Sequence, residues 1–244
     1  FLTGMEKHSD EENPALFGDG CAFFEAMRYH MSEMPTASVQ CAMNELSNHD
    51  HSRFMTRTNR RVGRLASAGA KAAVEGISYG IFRQGVVMQM TWPGAPTVYY
   101  GDEAGMVGWT DPDNRRSYPW GKQDWELIEF HKDMIRIHKK YECFRSGSYK
   151  SIVSGSHWLC YGRFNKKLQA VILINNRREA LTVDLPVWQI GILENACLKR
   201  VIQTTQSTYN VGEVMERAEN GILHVTVGPQ TASVYIAARN VEEN

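Results

Sequence analysis

Two polar strings hold the residues best suited to chemistry. The first is Asn48-His49-Asp50-His51-Ser52-Arg53-Phe54. A carboxylate flanked by imidazoles can accept hydrogen bonds from hydroxyls, ligate a metal or move a proton. The alternative is a polar turn in which Asp50 pairs with Arg53 and the histidines are solvated; the string alone does not choose. The second string runs Tyr99-Tyr100-Gly101-Asp102-Glu103-Ala104-Gly105-Met106 and resumes at Thr110-Asp111-Pro112-Asp113-Asn114-Arg115-Arg116. Its acids either serve a reaction or cap a helix and pair with Arg115 or Arg116. Trp92, Tyr99 and Tyr100 read as core residues. Trp109 and Trp120 lie in a polar loop and are harder to place in a core. Aromatic faces beside polar groups suit a pocket for sugar rings.

A metal centre is not expected. His49, Asp50 and His51 offer three ligands, but His8, His30, His131 and His138 are scattered, and a site needs ligands at suitable spacing. The five cysteines, Cys21, Cys41, Cys143, Cys160 and Cys197, are odd in number and form no CxxC pair. Reduced thiols in a cytoplasmic protein are the simpler expectation. Lys plus Arg and Asp plus Glu both number 27. With no basic excess to neutralise phosphates, no nucleic-acid partner is expected. No apolar run approaches the roughly 20 residues of a membrane span, so no membrane partner is expected either. The chain starts at Phe1 with no signal-peptide pattern after it, and part of a longer protein is expected.

The elements that must position these strings change character near residue 143. Cys21–Met34 predicts a helix stopped by Pro35, and Val39–Leu46 a short strand running into the first string. Val74–Met90 predicts a second helix, ended by Pro93-Gly94. Thr97–Tyr100 predicts a strand feeding the second string. Asp124 can cap a helix carrying Leu127, Ile128, Met134, Ile135, His138 and Tyr141 on one face. Helices and strands thus alternate, with polar strings after each strand, which is the texture of α/β units with a parallel sheet. After residue 143 the period becomes two. Leu181, Val183 and Leu185 alternate with polar residues, as do Leu223, Val225 and Val227, and then Ala232, Val234 and Ile236. Several such strands in about 100 residues suggest an antiparallel β-sandwich.

Taken in order, the strings resemble glycoside hydrolase family 13, the alpha-amylase superfamily, in its neopullulanase, cyclomaltodextrinase and maltogenic amylase branch. NHDHSRF is similar to the family's last signature, PGAPTVYYGDEAGM to its eighth barrel strand and loop, and TDPDNRRSYPW to the substrate-edge loop beyond. The fold class this implies is the C-terminal part of a TIM (β/α)8 barrel at 1–142, followed by the antiparallel β-sandwich at 143–244. The resemblance implies that Asp50 is the third carboxylate, gripping the sugar at the cleavage point, with His49 on hydroxyls of the same sugar. It implies that Asp111 and Arg115 contact glucose units further along, and that Asn48 and Arg53 shape the loop. Asp102 and Glu103 are not assigned a catalytic part. His51 stands where the family usually has Thr, which alters the pocket rim.

A retaining glycosidase needs two carboxyl groups roughly 5–5.5 Å apart. The resemblance places them on the fourth and fifth barrel strands, outside this chain. The chain alone is therefore expected to be inactive, while the parent acts on α-glucosidic bonds of maltodextrins, cyclodextrins or related α-glucans. No cofactor is expected; calcium in the parent is left open, with no site in these residues. A partial barrel leaves apolar surface, so self-association, or cover by a rearranged N-terminal segment, is expected. Two rival readings are a non-catalytic carbohydrate-binding module and a metal-dependent hydrolase built on His49, Asp50 and His51.

Overall fold

The structure is a computed structural model that describes residues 1–238; residues 239–244, the end of the expected 143–244 unit, lie outside it. Helix α1 (Gly20–Ser32) begins where the Asp19 side chain accepts from the Ala22 N–H, satisfying one of the donors a helix start leaves free. The Val39–Leu46 strand is a correction. Helix α2 (Thr36–Cys41) takes up its first half and strand β1 is only Met43–Asn44. Pro35, at the entry to α2, sets the backbone for a helix start, and a short apolar run suits either state. Helices α3 (Phe54–Arg57) and α4 (Leu65–Ala72, interrupted at Gly69) follow. Helix α5 (Tyr79–Thr91) starts later than the periodicity predicts, because Ser78 caps it by accepting from the Ile81 N–H at 3.3 Å.

Strand β2 is Ala95–Pro96 and pairs parallel with β1, two residues ahead of the expected strand. Thr97 N–H still reaches the Asn44 carbonyl at 2.9 Å before the chain turns at Tyr100. Gln89 of α5 donates to the carbonyls of Asn44 (3.1 Å) and Thr97 (2.8 Å). One buried amide thus fixes the ends of both strands, from which both polar strings depart. Helix α6 (Trp125–Lys140) is capped by Asp124 as the sequence predicts and buries Leu127, Phe130, His131, Met134 and Ile137. Helix α7 (Cys143–Ser146) is a single turn.

Eight antiparallel strands complete the described residues: β3 (Ser148–Gly155), β4 (Trp158–Phe164), β5 (Leu168–Asn175), β6 (Leu181–Pro186), β7 (Cys197–Thr204), β8 (Tyr209–Glu219), β9 (Ile222–Val227) and β10 (Thr231–Ala238). Hydrogen bonding joins them in the order β3-β4-β5-β10-β7-β8-β9-β6. The expected two sheets are therefore one continuous sheet, whose edge strands β3 and β6 come back toward each other. Its inner face buries Val171, Leu173, Leu185, Leu198, Leu223 and Tyr235 together. Its outer face, with Ile172, Ile174, Val234 and Ile236, packs in the same core as Phe82 and Val86 of α5 and Phe130 and Met134 of α6. Strand β5 is thus covered on both sides, which is why it reads as the unbroken apolar run Ala170–Ile174. Each such side chain contributes about 1.5–3 kcal/mol through burial. Arg163, fully buried, ties the layers by donating to the Thr91 carbonyl at 2.7 Å and the Gly147 carbonyl at 3.0 Å.

Candidate functional site

The two polar strings leave β1 and β2 and meet at their tips. Asn48 shapes the first by accepting, through its side-chain oxygen, from the N–H groups of Asp50 and His51, both at 3.0 Å. Asn114 of the second string donates to the carbonyls of Asn48 (3.1 Å) and His51 (2.7 Å). Thr110 Oγ1 donates to the Asp50 carbonyl. Arg115 Nε donates to the His49 carbonyl at 3.1 Å and lies 3.1 Å from Asp111 Oδ1. Its Nη2 stands 3.8 Å from Asp50 Oδ1, and His49 Nε2 lies 3.6 Å from the same oxygen. All four side chains remain roughly half exposed or more, from 46% for Asp111 to 68% for His49. His49, Asp50, Asp111 and Arg115 thus form one open polar surface.

Arg53 stands beneath it, and the reading that paired it with Asp50 is corrected. Its Nε donates to the Asn114 carbonyl at 2.9 Å, and Nη1 donates to the Tyr100 carbonyl at 2.8 Å and to Asp102 Oδ1 at 2.9 Å. The guanidinium also lies over the rings of Tyr99 and Tyr100, at 4.6 and 4.9 Å. One buried side chain therefore joins three segments of loop. Burial pushes the Asp102 carboxyl up to about 6, against the pull of Arg53. Asp102 is only 3% exposed, so its carboxyl is largely closed off from solvent.

The second string is braced from within. Asp113 accepts from the Trp109 N–H at 2.8 Å and takes two bonds from Arg116, at 3.0 and 2.7 Å. Gly108 packs so closely that an added Cβ would meet the Asp113 carbonyl oxygen at 2.5 Å. Trp109 is a further correction. It is fully buried, with its indole N–H donating to the Gly69 carbonyl at 3.0 Å, and offers no face to a ligand. Trp120 is 79% exposed.

Three contributors escaped sequence reasoning. Thr110 and Asn114 act through main-chain contacts that no spacing pattern announces. His8 lies far away in sequence, yet its Nδ1 is 2.9 Å from Thr110 Oγ1 and its ring meets His51 edge-on at 5.2 Å. Burial, with help from the nearby cations Arg57 and Lys7, holds the His51 imidazole below its ordinary value. Among the described residues no group of three or more His, Cys, Asp or Glu side chains is placed to hold a metal ion. No helix among them is long and apolar enough to cross a membrane. What the surface can do is grip hydroxyls: two carboxylates accept, a guanidinium donates and an imidazole does either.

The sequence profile of the alpha-amylase catalytic domain matches residues 5–159, and the chain belongs to that family. Neopullulanase 2 of Thermoactinomyces vulgaris is 34% identical over 161 residues, which is 64% of this chain and 25% of that protein. An amylopullulanase of Thermoanaerobacter thermohydrosulfuricus is 32% identical over 132 residues, covering 53% of this chain and 9% of the relative. The chain thus spans a quarter or less of these curated relatives. The alpha-amylase of Geobacillus thermoleovorans, solved in complex with acarbose, superposes with a TM-score of 0.70 at 22% identity, over 90% of this chain and 43% of that one.

Proposed function

We propose that this chain supplies the sugar-gripping edge of a retaining glycoside hydrolase acting on α-1,4, and by extension α-1,6, bonds of maltodextrins, cyclodextrins or related α-glucans. The observation that carries the reading is Arg115, whose guanidinium bridges the Asp50 and Asp111 carboxylates and the His49 carbonyl at the meeting of the two loop tips. In this reading Asp50 and His49 hold the sugar at the cleavage point, and Asp111 and Arg115 hold units further along. The complex of a structural neighbour with acarbose supports a saccharide ligand.

The nucleophile and the general acid, in this reading, stand on barrel strands outside the chain. Residues 1–142 then form the last strand–helix units of the (β/α)8 barrel. The two-stranded parallel sheet fits this placement, since β1 and β2 each pair only with the other among the described residues. The described residues from 143 to 238 form the appended β unit, whose two-layered packing follows from the curl of its sheet around one core. The reading needs no cofactor from these residues.

Calorimetry of the 244-residue protein with maltoheptaose tests the reading, alongside a reducing-sugar assay. Binding without release of reducing sugar is expected, with affinity lost in Asp50→Asn and Arg115→Ala. Binding untouched by both substitutions would move the saccharide to the β unit and favour a carbohydrate-binding module. Release of reducing sugar above a heat-killed control would place a full catalytic set inside this chain and overturn the proposal.

A further inference from the structure

A polar cavity of about 680 Å³, separate from the open polar surface, opens between the start of α5 and the turns of the sheet. Arg60, Arg177, Arg178 and His157 line it, with Glu179 as the one carboxylate. Glu179 lies 3.7 Å from Arg177, while Arg60 and Arg178 have no acidic partner among the described residues. Three guanidinium groups against one carboxylate leave an excess of two positive charges, with His157 neutral. Burial, with help from the cations Arg60 and Arg177, holds the His157 imidazole below its ordinary value.

The cavity is built rather than incidental. Phe17 holds two of its walls: Arg60 stacks on the ring at 3.7 Å, and His157 meets it edge-on at 4.6 Å. His157 N–H donates to the Gly18 carbonyl at 2.7 Å, and Gly18 has no room for a side chain, since a Cβ would lie 2.2 Å from His157 Nδ1. Arg60, His157 and Gln230 are three of the six non-glycine residues with left-handed backbone among those described, and all three line this one cavity. Such conformations cost free energy and collect where the surrounding structure needs them.

Unused bonding capacity lies here as well. Asn176 is 95% buried, being 5% exposed, and its Oδ1 has no partner; the buried Nε of Arg60 has none either. The start of α5 also borders the cavity through Ser78 and Ile81, whose N–H groups are bonded to Thr58 Oγ1 and Ser78 Oγ, so only the helix dipole is offered there. We propose that this cavity binds a phosphate monoester of a small hydroxylated compound, the phosphate facing Arg60 and Arg178. A monoester carries a charge of about −1.5 to −2 near pH 7, which matches the local excess. The amides of Asn176 and Gln230 then serve the hydroxyls, and the volume lies within the roughly 300–1,000 Å³ usual for small ligands.

Calorimetry of the 244-residue protein at low salt, with glucose 6-phosphate, inorganic phosphate and glucose as probes, tests this. Both phosphates are expected to bind saturably and glucose not at all. Tighter binding of the ester assigns the hydroxyl contacts; equal affinity assigns the phosphate group alone, with the cation site intact. Arg178→Glu, an exposed change that spares the fold, is expected to weaken phosphate at least tenfold, and Arg60→Gln likewise. The His157 ring signal should titrate at higher pH with phosphate bound, because the anion offsets the guanidinium field. Absence of binding at about 10 mM of either phosphate, a ligand concentration above the millimolar range of weak binding, overturns the proposal. So does wild-type affinity in Arg178→Glu.

Discussion

The Arg53 guanidinium donates to the Asp102 carboxylate at 2.9 Å, with neither side chain more than 4% exposed. Because Arg53 also bonds the carbonyls of Tyr100 and Asn114, this pair is the joint on which both loops of the polar surface rest. Removing one partner of a buried pair leaves the other charge without compensation, at a cost of about 3–5 kcal/mol. Arg53→Met is expected to lose that much in urea unfolding. A loss below about 1 kcal/mol, the level of an exposed ion pair, would show that the joint does not hold.

Asp50 and Asp111 should behave in the opposite manner. Both are exposed, so Asp50→Asn and Asp111→Asn are expected to change stability by no more than about 0.5 kcal/mol. Each should weaken maltoheptaose by about tenfold, equivalent to about 1.4 kcal/mol. A shifted unfolding midpoint with unchanged affinity would make them structural instead.

Gly108 is a packing test. An alanine there must push against the Asp113 carbonyl and the Asn114 backbone, and overpacking of this kind costs about 1–3 kcal/mol. Because Asp113 and Asn114 carry the second loop, Gly108→Ala should lower both stability and glucan affinity. Stability lost at wild-type affinity would show that the loop tip is set elsewhere.

His131 supplies a pH dependence. It is buried, its Nδ1 donates to the Leu127 carbonyl at 2.8 Å, and the rings of Phe82 and Phe130 lie 6.0 Å away. Burial holds its pKa below the ordinary 6.5, against the effect of that hydrogen bond. Below pH 6.5 the unfolded chain therefore binds the proton first. The stabilising contribution is complete above that pH and falls as pH drops, by at most about 1.4 kcal/mol per unit for one proton. His131→Leu should flatten the slope between pH 7 and 5 in chemical unfolding. His51, His138 and His157, lowered in the same direction, leave a residue of that slope. An unaltered slope would remove His131 from the acid response.

The edge of β1 bears on association. Met43 is 68% exposed beside an unpaired strand edge, and Phe23, Met27 and Trp92 line an apolar cavity of about 420 Å³ next to it. The N-terminal residues Phe1 and Leu2 already cover part of that surface. Light scattering is expected to show species larger than a monomer, reduced by Met43→Lys. A monodisperse wild-type monomer would show that Phe1 and Leu2 cover enough.

The sequence by itself determined what local chemistry controls. Asp124 announced the start of α6 because a cap needs only one side chain and the next turn. The alternation at 181–186 and 222–227 announced strands because one face of each is buried, whereas 231–238 alternates in residue type although both of its faces are covered. The two polar strings carried the family resemblance, and so pointed to a saccharide surface before any geometry was known. Tertiary structure decided the rest, for a reason of range. A two-residue ladder such as β1–β2 leaves no periodicity to read. A charge does not announce its partner, so Arg53 chose Asp102, 49 residues away, over Asp50 beside it. The burial of Trp109 and the arrival of His8 at Thr110 depend on which segments pack together. The joining of eight strands into one curled sheet follows from pairings between distant residues, and the free energy that selects them appears only when the core closes.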